Sequence, residues 1–303
     1  MIGEMLEIKN PAEVVRSIES FIRDNVKYFY KDGAILGISG GVDSALTAFL
    51  TVRALGRERV FALFLPDRDS DPQSKDDAYL VAKTLGIELK TIDITKILSA
   101  IGVYKLAPKG AALVPRKVKE EYVRSHYSAF NDEKETAFIK DLKGGEGNEE
   151  LMRGIAYHRV KHRVRMVMWY FYGEQKNYLV VGCCNKTEKL TGYFVKYGDG
   201  GSDIDPIADL YKTQVRQLAR FVGVPERIIE KAPSPDLVPG ITDEFALGIS
   251  YEKLDIILYG IMNGMSEQDI IKEGVSEKEI QYVKTLMKLS EHMREVPRTP
   301  FGG

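Results

Sequence analysis

The sequence has only two cysteines in 303 residues, Cys183 and Cys184, and they are adjacent. Neighbours in sequence rarely form a structural disulfide, so a disulfide framework is excluded and a reducing cytoplasm is the expectation. An excess of charge of one sign is missing too. Lys and Arg number 43 against 44 Asp and Glu, and the net charge of −1 argues against non-specific nucleic-acid binding as the main activity. No apolar run approaches the roughly 18 residues of a membrane span. The opening MIGEMLEIKNPAEVV is mixed and charged, without the apolar core of a signal peptide. What is left is a globular composition, 44% hydrophobic and 29% charged, in a chain long enough to bury a substantial core.

Apolar residues at helical spacing mark Pro11–Tyr30 as an amphipathic helix. Alternation follows: a strand over Ala34–Ile38, a helix over Ala45–Leu55 closed by Gly56, a strand over Arg59–Leu65, a helix over Ser74–Leu85 closed by Gly86, and a strand over Glu88–Ile94. This order predicts an α/β fold, a doubly wound parallel sheet flanked by helices. The wholly apolar VFALFL (Val60–Leu65) fits a strand buried on both faces. From Tyr104 to Gly154 the pattern fails. That stretch is mostly charged, and we expect a partly helical core with Lys143–Glu150 as a mobile loop. A helix over Ile155–Tyr172, a strand over Tyr178–Cys183 and a helix near Ala208–Val222 follow, and beyond Ser250 the rest reads as a helical C-terminal region. The chain is expected to form a single domain over 1–303.

At the first strand-to-helix junction stands Ser39-Gly40-Gly41-Val42-Asp43-Ser44. Two glycines permit positive φ and close approach, and the unpaired N–H groups of a helix start favour an anion, above all phosphate. Ser39 and Ser44 add hydroxyl donors. A carboxylate at Asp43 would repel phosphate unless a cation stood between them, which suggests Mg²⁺. The plainer alternative is a structural turn with Asp43 or Ser44 as N-cap. The pattern is neither Walker A, since no lysine follows the glycines, nor a G-x-G-x-x-G fingerprint.

It matches the SGG-x-D-S loop of the ATP pyrophosphatases letter for letter. Residues 182–213, GCCNKTEKLTGYFVKYGDGGSDIDPIADLYKT, and GVPERIIEKAPSPDL with TDE-x-x-LGISYEKLDIIL (Gly223–Leu258) closely resemble the NAD synthetases. That resemblance implies a carbon–nitrogen ligase that uses ATP to adenylylate the nicotinate carboxylate of deamido-NAD, after which ammonia displaces AMP. It implies ATP binding by Gly37, Ile38, Ser39, Gly40, Gly41, Val42, Asp43, Ser44, Cys183, Lys212 and Ser234, with Mg²⁺ on Asp43 and Glu188. It implies acceptor binding by Arg163, Lys196, Asp203, His292 and Met293, and charge neutralisation by Asp43, Lys196 and Lys212 in place of a nucleophile. Arg165 is an alternative to Arg163, because both occur in one helical turn. Glu188 also fits a helix-capping pattern, and Lys212 taken alone reads as a surface lysine. His126, His158 and His162 are expected as surface or packing residues.

Four features depart from the family pattern. Cys183 stands where Thr is common, Met293 replaces the Lys of a His-Lys pair, Pro239-Gly240-Ile241 precedes Thr242-Asp243-Glu244 in a loop that in similar sequences often carries an aromatic and Gln, and 104–154 is longer than usual. The last is a lid, a partner surface, or the mark of a paralogue acting on another carboxylic acid. The resemblance further implies a homodimer, with small-molecule substrates and neither nucleic acid nor membrane as partner. No glutaminase domain is expected within the 303 residues, so nitrogen comes from free ammonia or a separate subunit. A nucleotide-binding protein without turnover is the alternative of another class.

Overall fold

The computed structural model describes residues 2–108, 110 and 114–300. Residues 109 and 111–113, inside the atypical 104–154 stretch, lie outside the described residues. Four parallel strands form the sheet: β1 Gly33–Gly37, β2 Val60–Phe64, β3 Glu88–Thr91 and β4 Tyr178–Val181, in the order β3-β2-β1-β4. Alternate side chains enter opposite cores, as the pleat requires. Ala34, Leu36, Val60, Ala62, Leu179 and Val181 pack with the Pro11–Tyr28, Val42–Leu55 and Lys212–Val222 helices. Ile35, Phe61, Leu63 and Val180 meet Val164 and Trp169 of the Glu149–Lys176 helix on the other face. The doubly wound α/β expectation is met.

The third strand ends earlier than its apolar run suggests. It spans Glu88–Thr91, and Asp93 Oδ1 then accepts the Thr95 N–H at 2.7 Å where the Thr95–Ile101 helix begins. The long helix expected from Ile155 begins two turns sooner, at Glu149. Asn148 caps it by accepting from Leu151 N at 3.0 Å, and Glu149 and Glu150 sit at the favourable end of the helix dipole. The Lys143–Glu150 run is therefore a hydrogen-bonded turn over 143–148, with Gly144, Gly145 and Gly147 at positive φ, running into that helix. The 104–154 stretch adds two further helices, Arg116–Ser128 and Ala137–Leu142.

A second core holds the C-terminal helices. Leu254, Ile257 and Leu258 of the Tyr251–Met262 helix and Ile280, Val283 and Leu286 of Glu277–Leu289 pack together with Ile2, Phe138, Ile139 and Leu142. Among the described residues no helix is long and apolar enough to cross a membrane.

The order β3-β2-β1-β4 reverses direction between β1 and β4. In such sheets the crevice beyond the carboxyl ends of the two diverging strands is where ligands settle. Ser39–Ser44 follows β1, and Gly182–Cys184 follows β4.

Candidate active site

A cavity of about 1230 Å³ opens at this reversal. Ser39 and Ser44 brace its floor: Ser39 N–H donates to Ser44 Oγ at 3.2 Å, the two hydroxyls lie 3.1 Å apart, and Ser44 Oγ donates to Gly41 O at 3.0 Å. The helix starts at Val42 with Gly41 as N-cap and no capping side chain, so the structural-turn alternative with Asp43 or Ser44 as cap does not hold. Uncapped N–H groups at the start of a helix pointing into a crevice form an anion site. Gly37, Ile38, Ser39, Gly41, Val42, Asp43 and Ser44 all line the cavity.

Gly40 does not face the cavity lining but supports it. Its φ is +83°, and a Cβ there would stand 2.7 Å from Ser74 O and 2.9 Å from Asp77 Cβ. We expect Gly40→Ala to destabilise the protein by about 1–3 kcal/mol through left-handed strain and this collision. Urea denaturation checks it, and an unchanged midpoint would mean the loop shifts freely.

Lys212 begins the Lys212–Val222 helix and is 1% exposed, so the surface-lysine alternative is excluded. Its ammonium is paired with Asp43 Oδ2 and stands 3.8 Å from Glu188 Oε1. Asn185 Nδ2 donates to Asp43 Oδ1 at 2.8 Å. Glu188 fills the capping role: Oε2 accepts the Asn185 N–H at 3.2 Å in a capping box, while Oε1 faces Lys212. Burial and the Asp43 charge push the Glu188 carboxyl well above its ordinary range, with Lys212 opposing. Burial alone would lower the Lys212 ammonium, but Asp43, Glu188 and Asp243 outweigh it and raise its pKa. One buried cation thus serves three acidic groups, and the cluster favours a further cation. Among the described residues no three His, Cys, Asp or Glu side chains converge as a closed metal cage. Two carboxylates with room for phosphate and water oxygens suit Mg²⁺, which keeps several such ligands.

Cys183 lines the cavity beside this cluster. Burial, then Asp43 and Glu188, raise its thiol well above the ordinary value, and burial likewise raises Cys184. Both stay protonated, so neither offers a thiolate nucleophile.

The opposite wall was less foreseeable. Lys161, fully buried, donates to Asp69 Oδ2 at 2.8 Å, to Asp67 Oδ1 at 3.2 Å and to Leu237 O at 2.8 Å. Tyr157 also donates to Asp69. This knot ties the loop after β2 and the 232–242 loop to the long helix. Ser234 of the second loop lines the cavity, its Oγ donating to Ile241 O at 3.0 Å. Arg165 lines the cavity, donating from Nε to Leu65 O at 3.0 Å, whereas Arg163 is exposed and reaches Lys196 O at 3.4 Å. His126, His158 and His162 also line the cavity and are not simply outer-surface residues. Burial lowers both His158 and His162, and Arg165 adds to the effect at His162. The Arg116–Ser128 helix forms a side wall: Arg116 Nη2 pairs with Asp71 Oδ2 at 3.2 Å, and Gly240 lies against Glu120.

The remaining acceptor-side candidates lie elsewhere. Lys196 Nζ donates to His292 O at 2.9 Å and to Glu295 O at 2.8 Å, so Arg163, Lys196 and His292 gather at one corner outside the cavity lining. Met293 packs on the C-terminal core. Asp203 is engaged by the fold, accepting from Val180 N at 2.8 Å and Tyr170 OH at 3.0 Å.

The NAD synthase family profile matches residues 14–127 and 117–297. The chain is 44% identical to the NH(3)-dependent NAD(+) synthetase of Thermotoga neapolitana, over 97% of this chain and 99% of that one. It is 37% identical to that of Methanocaldococcus jannaschii, over 98% of each. Among solved structures, the NH3-dependent NAD synthetase of Campylobacter jejuni in complex with the nitrate ion superposes with a TM-score of 0.69 at 26% identity, covering 96% of this chain and 99% of that one. The NMN synthetase of Francisella tularensis gives 0.69 at 27% identity, covering 96% and 98%.

Proposed function

The chain belongs to the NAD synthase family, and from that premise we propose that it amidates deamido-NAD to NAD with ATP and ammonia. The observation that carries the reading is the Asp43–Lys212–Glu188 cluster at the mouth of an uncapped helix start. A carboxylate is a poor electrophile toward ammonia until its oxygen becomes a good leaving group. Adenylylation does this: an acceptor oxygen bonds to the α-phosphorus, pyrophosphate leaves, and ammonia then displaces AMP. Both partners of the first step are anions, so alignment and charge neutralisation are the requirement, not a nucleophilic side chain.

The Ser39–Ser44 N–H and hydroxyl groups would hold the phosphates, and Lys212 would neutralise developing charge beside them. Asp43 and Glu188 would hold Mg²⁺, which supplies Lewis-acid stabilisation at phosphate oxygens when bound. Cys183 and Ser234 line the same cavity and would border the nucleotide, and Arg165 would supply a guanidinium that Arg163 does not bring to the cavity. Residues 1–303 act as one unit in this reading, with 104–154 as a side wall. A homodimer would let the Arg163–Lys196–His292 corner meet acceptor across a subunit interface, and the cytoplasm is the natural setting for ATP and free thiols.

Mass spectrometry after incubation with ATP, Mg²⁺, ammonium and deamido-NAD tests the reaction, with nicotinate mononucleotide as a parallel acceptor. NAD and AMP are expected in equal amounts. Product only from the mononucleotide would reassign the acceptor, and no AMP with either would refute the ligase. Lys196→Ala should raise the KM for deamido-NAD about tenfold or more with ATP kinetics preserved, as loss of a charge-assisted contact predicts. Unchanged acceptor kinetics would remove that corner from the site.

A further inference from the structure

Behind the phosphate loop lies a charged group that the reaction described above leaves unused. Asp77, on the Pro72–Leu85 helix, is fully buried, yet its carboxylate holds two cations. Arg227 donates to Oδ1 from Nε at 2.8 Å and also from Nη2, while Lys231 donates to Oδ2 at 2.8 Å. One negative charge cannot balance two positive ones, so this group carries a surplus positive charge. The Asp43 cluster has the opposite imbalance.

Lys231 Nζ also reaches Ser74 Oγ at 3.3 Å, and Ser74 with Asp77 is the support on which Gly40 rests. Ser74 and Lys231 both line the cavity. Two other carboxylates border this stretch: Asp71 pairs with Arg116 at 3.2 Å, and Asp236 accepts the Asp71 N–H at 2.7 Å and a hydrogen bond from Ser74. Lys231 therefore brings the ammonium of this group to the cavity wall, with Asp77 as its only ion-pair partner among the described residues.

We infer that Lys231, steered by buried Asp77, contacts the pyrophosphoryl end of ATP and holds pyrophosphate after the α–β bond breaks. This rests on the nucleotide reading of Ser39–Ser44. During adenylylation the acceptor oxygen bonds to the α-phosphorus, and the electron pair of the breaking bond leaves on the pyrophosphate oxygen. A preorganised cation at that end meets the charge as it develops. Asp77 is a positioning residue here, acting through Lys231. Arg227 occupies the other carboxylate oxygen, so the ammonium is not spent wholly on its own counter-ion.

The test is pyrophosphate product inhibition of the full-length protein, with the KM values for ATP and deamido-NAD measured alongside. Lys231→Met should weaken pyrophosphate inhibition and raise the ATP KM by about 10–100-fold, the range for losing a charge-assisted hydrogen bond. The deamido-NAD KM should hold, and Lys231→Arg should recover most of the loss. Pyrophosphate inhibition and ATP KM within about twofold of wild type in the Met variant would overturn the inference, since a lost phosphate contact exceeds that. Lys212→Met serves as the parallel arm. If it too leaves ATP and pyrophosphate untouched, the nucleotide reading of the loop fails; an effect there with none at Lys231 removes only Lys231. Should the Met variant not fold, Lys231→Gln is read by the rise in Tm on adding inorganic pyrophosphate with Mg²⁺. A smaller rise than in wild type supports the contact, and an equal rise refutes it.

Discussion

Asp43→Asn is expected to lower kcat for AMP formation by about 10²–10³-fold, the magnitude for removing one preorganised electrostatic group from a charged transition state. The substitution keeps the shape of the side chain and an oxygen for the Asn185 amide, which donates to it at 2.8 Å. Lys212 would retain Glu188 at 3.8 Å and the field of Asp243. The new amide nitrogen would face the buried Lys212 ammonium, a cost of about 1–3 kcal/mol that relief of repulsion among the acids offsets in part. The informative result is a collapsed turnover measured at a temperature where the variant is still fully folded. Turnover within about threefold of wild type would show that no metal or phosphate chemistry depends on this carboxylate, because even one lost donor costs more.

Lys161→Ala carries the second large effect, on stability. Removing the ammonium leaves Asp67 and Asp69 facing each other with both side chains essentially out of solvent. Breaking a buried ion pair from one side costs about 3–5 kcal/mol, and the aspartates would keep only the longer ion-pair contacts of Arg165 to Asp67 at 3.9 Å and Arg68 to Asp69 at 3.7 Å, which places the expected cost toward the lower end. The Leu237 carbonyl also loses its donor at 2.8 Å. Denaturant unfolding should show this loss with an unchanged slope. A cost below about 1 kcal/mol would mean that water reaches the aspartates, as at an exposed pair. Triple replacement, Lys161→Met with Asp67→Asn and Asp69→Asn, should recover part of the loss.

The difference between these two sites also separates what sequence makes legible from what it does not. The Ser39–Ser44 loop is local: strand, glycines, hydroxyls and helix start adjoin one another, so turn chemistry and helix electrostatics identify it directly. The closing glycines Gly56 and Gly86 are local in the same way and mark their helix ends correctly. Lys161 is the contrary case. Its partners lie 94, 92 and 76 residues away, and HRVKHRVRM reads as a basic helix face until the fold drives one lysine inward. The Arg163 and Arg165 alternatives were open for the same reason, since helical spacing allows either and only packing against Leu65 selects the second. Lys212 looked ordinary because burial beside Asp43 and Glu188 depends on β4 lying next to β1. Cap chemistry explains the long helix: a polar Asn148-Glu149-Glu150 start carries no apolar period, so periodicity places the beginning too late.

Gly37 ends β1, and a Cβ on it would meet the indole of Trp169 at 2.8 Å. That ring belongs to the one tryptophan in the sequence, borders the cavity, and keeps a buried indole N–H with no hydrogen-bond partner among the described residues. The molecule thus holds its one indole against the strand end that leads into Ser39–Ser44. Excited apart from the tyrosines, that ring is expected to change its emission when a ligand enters the cavity, so a titration with ATP and Mg²⁺ can be followed without a dye or an engineered label.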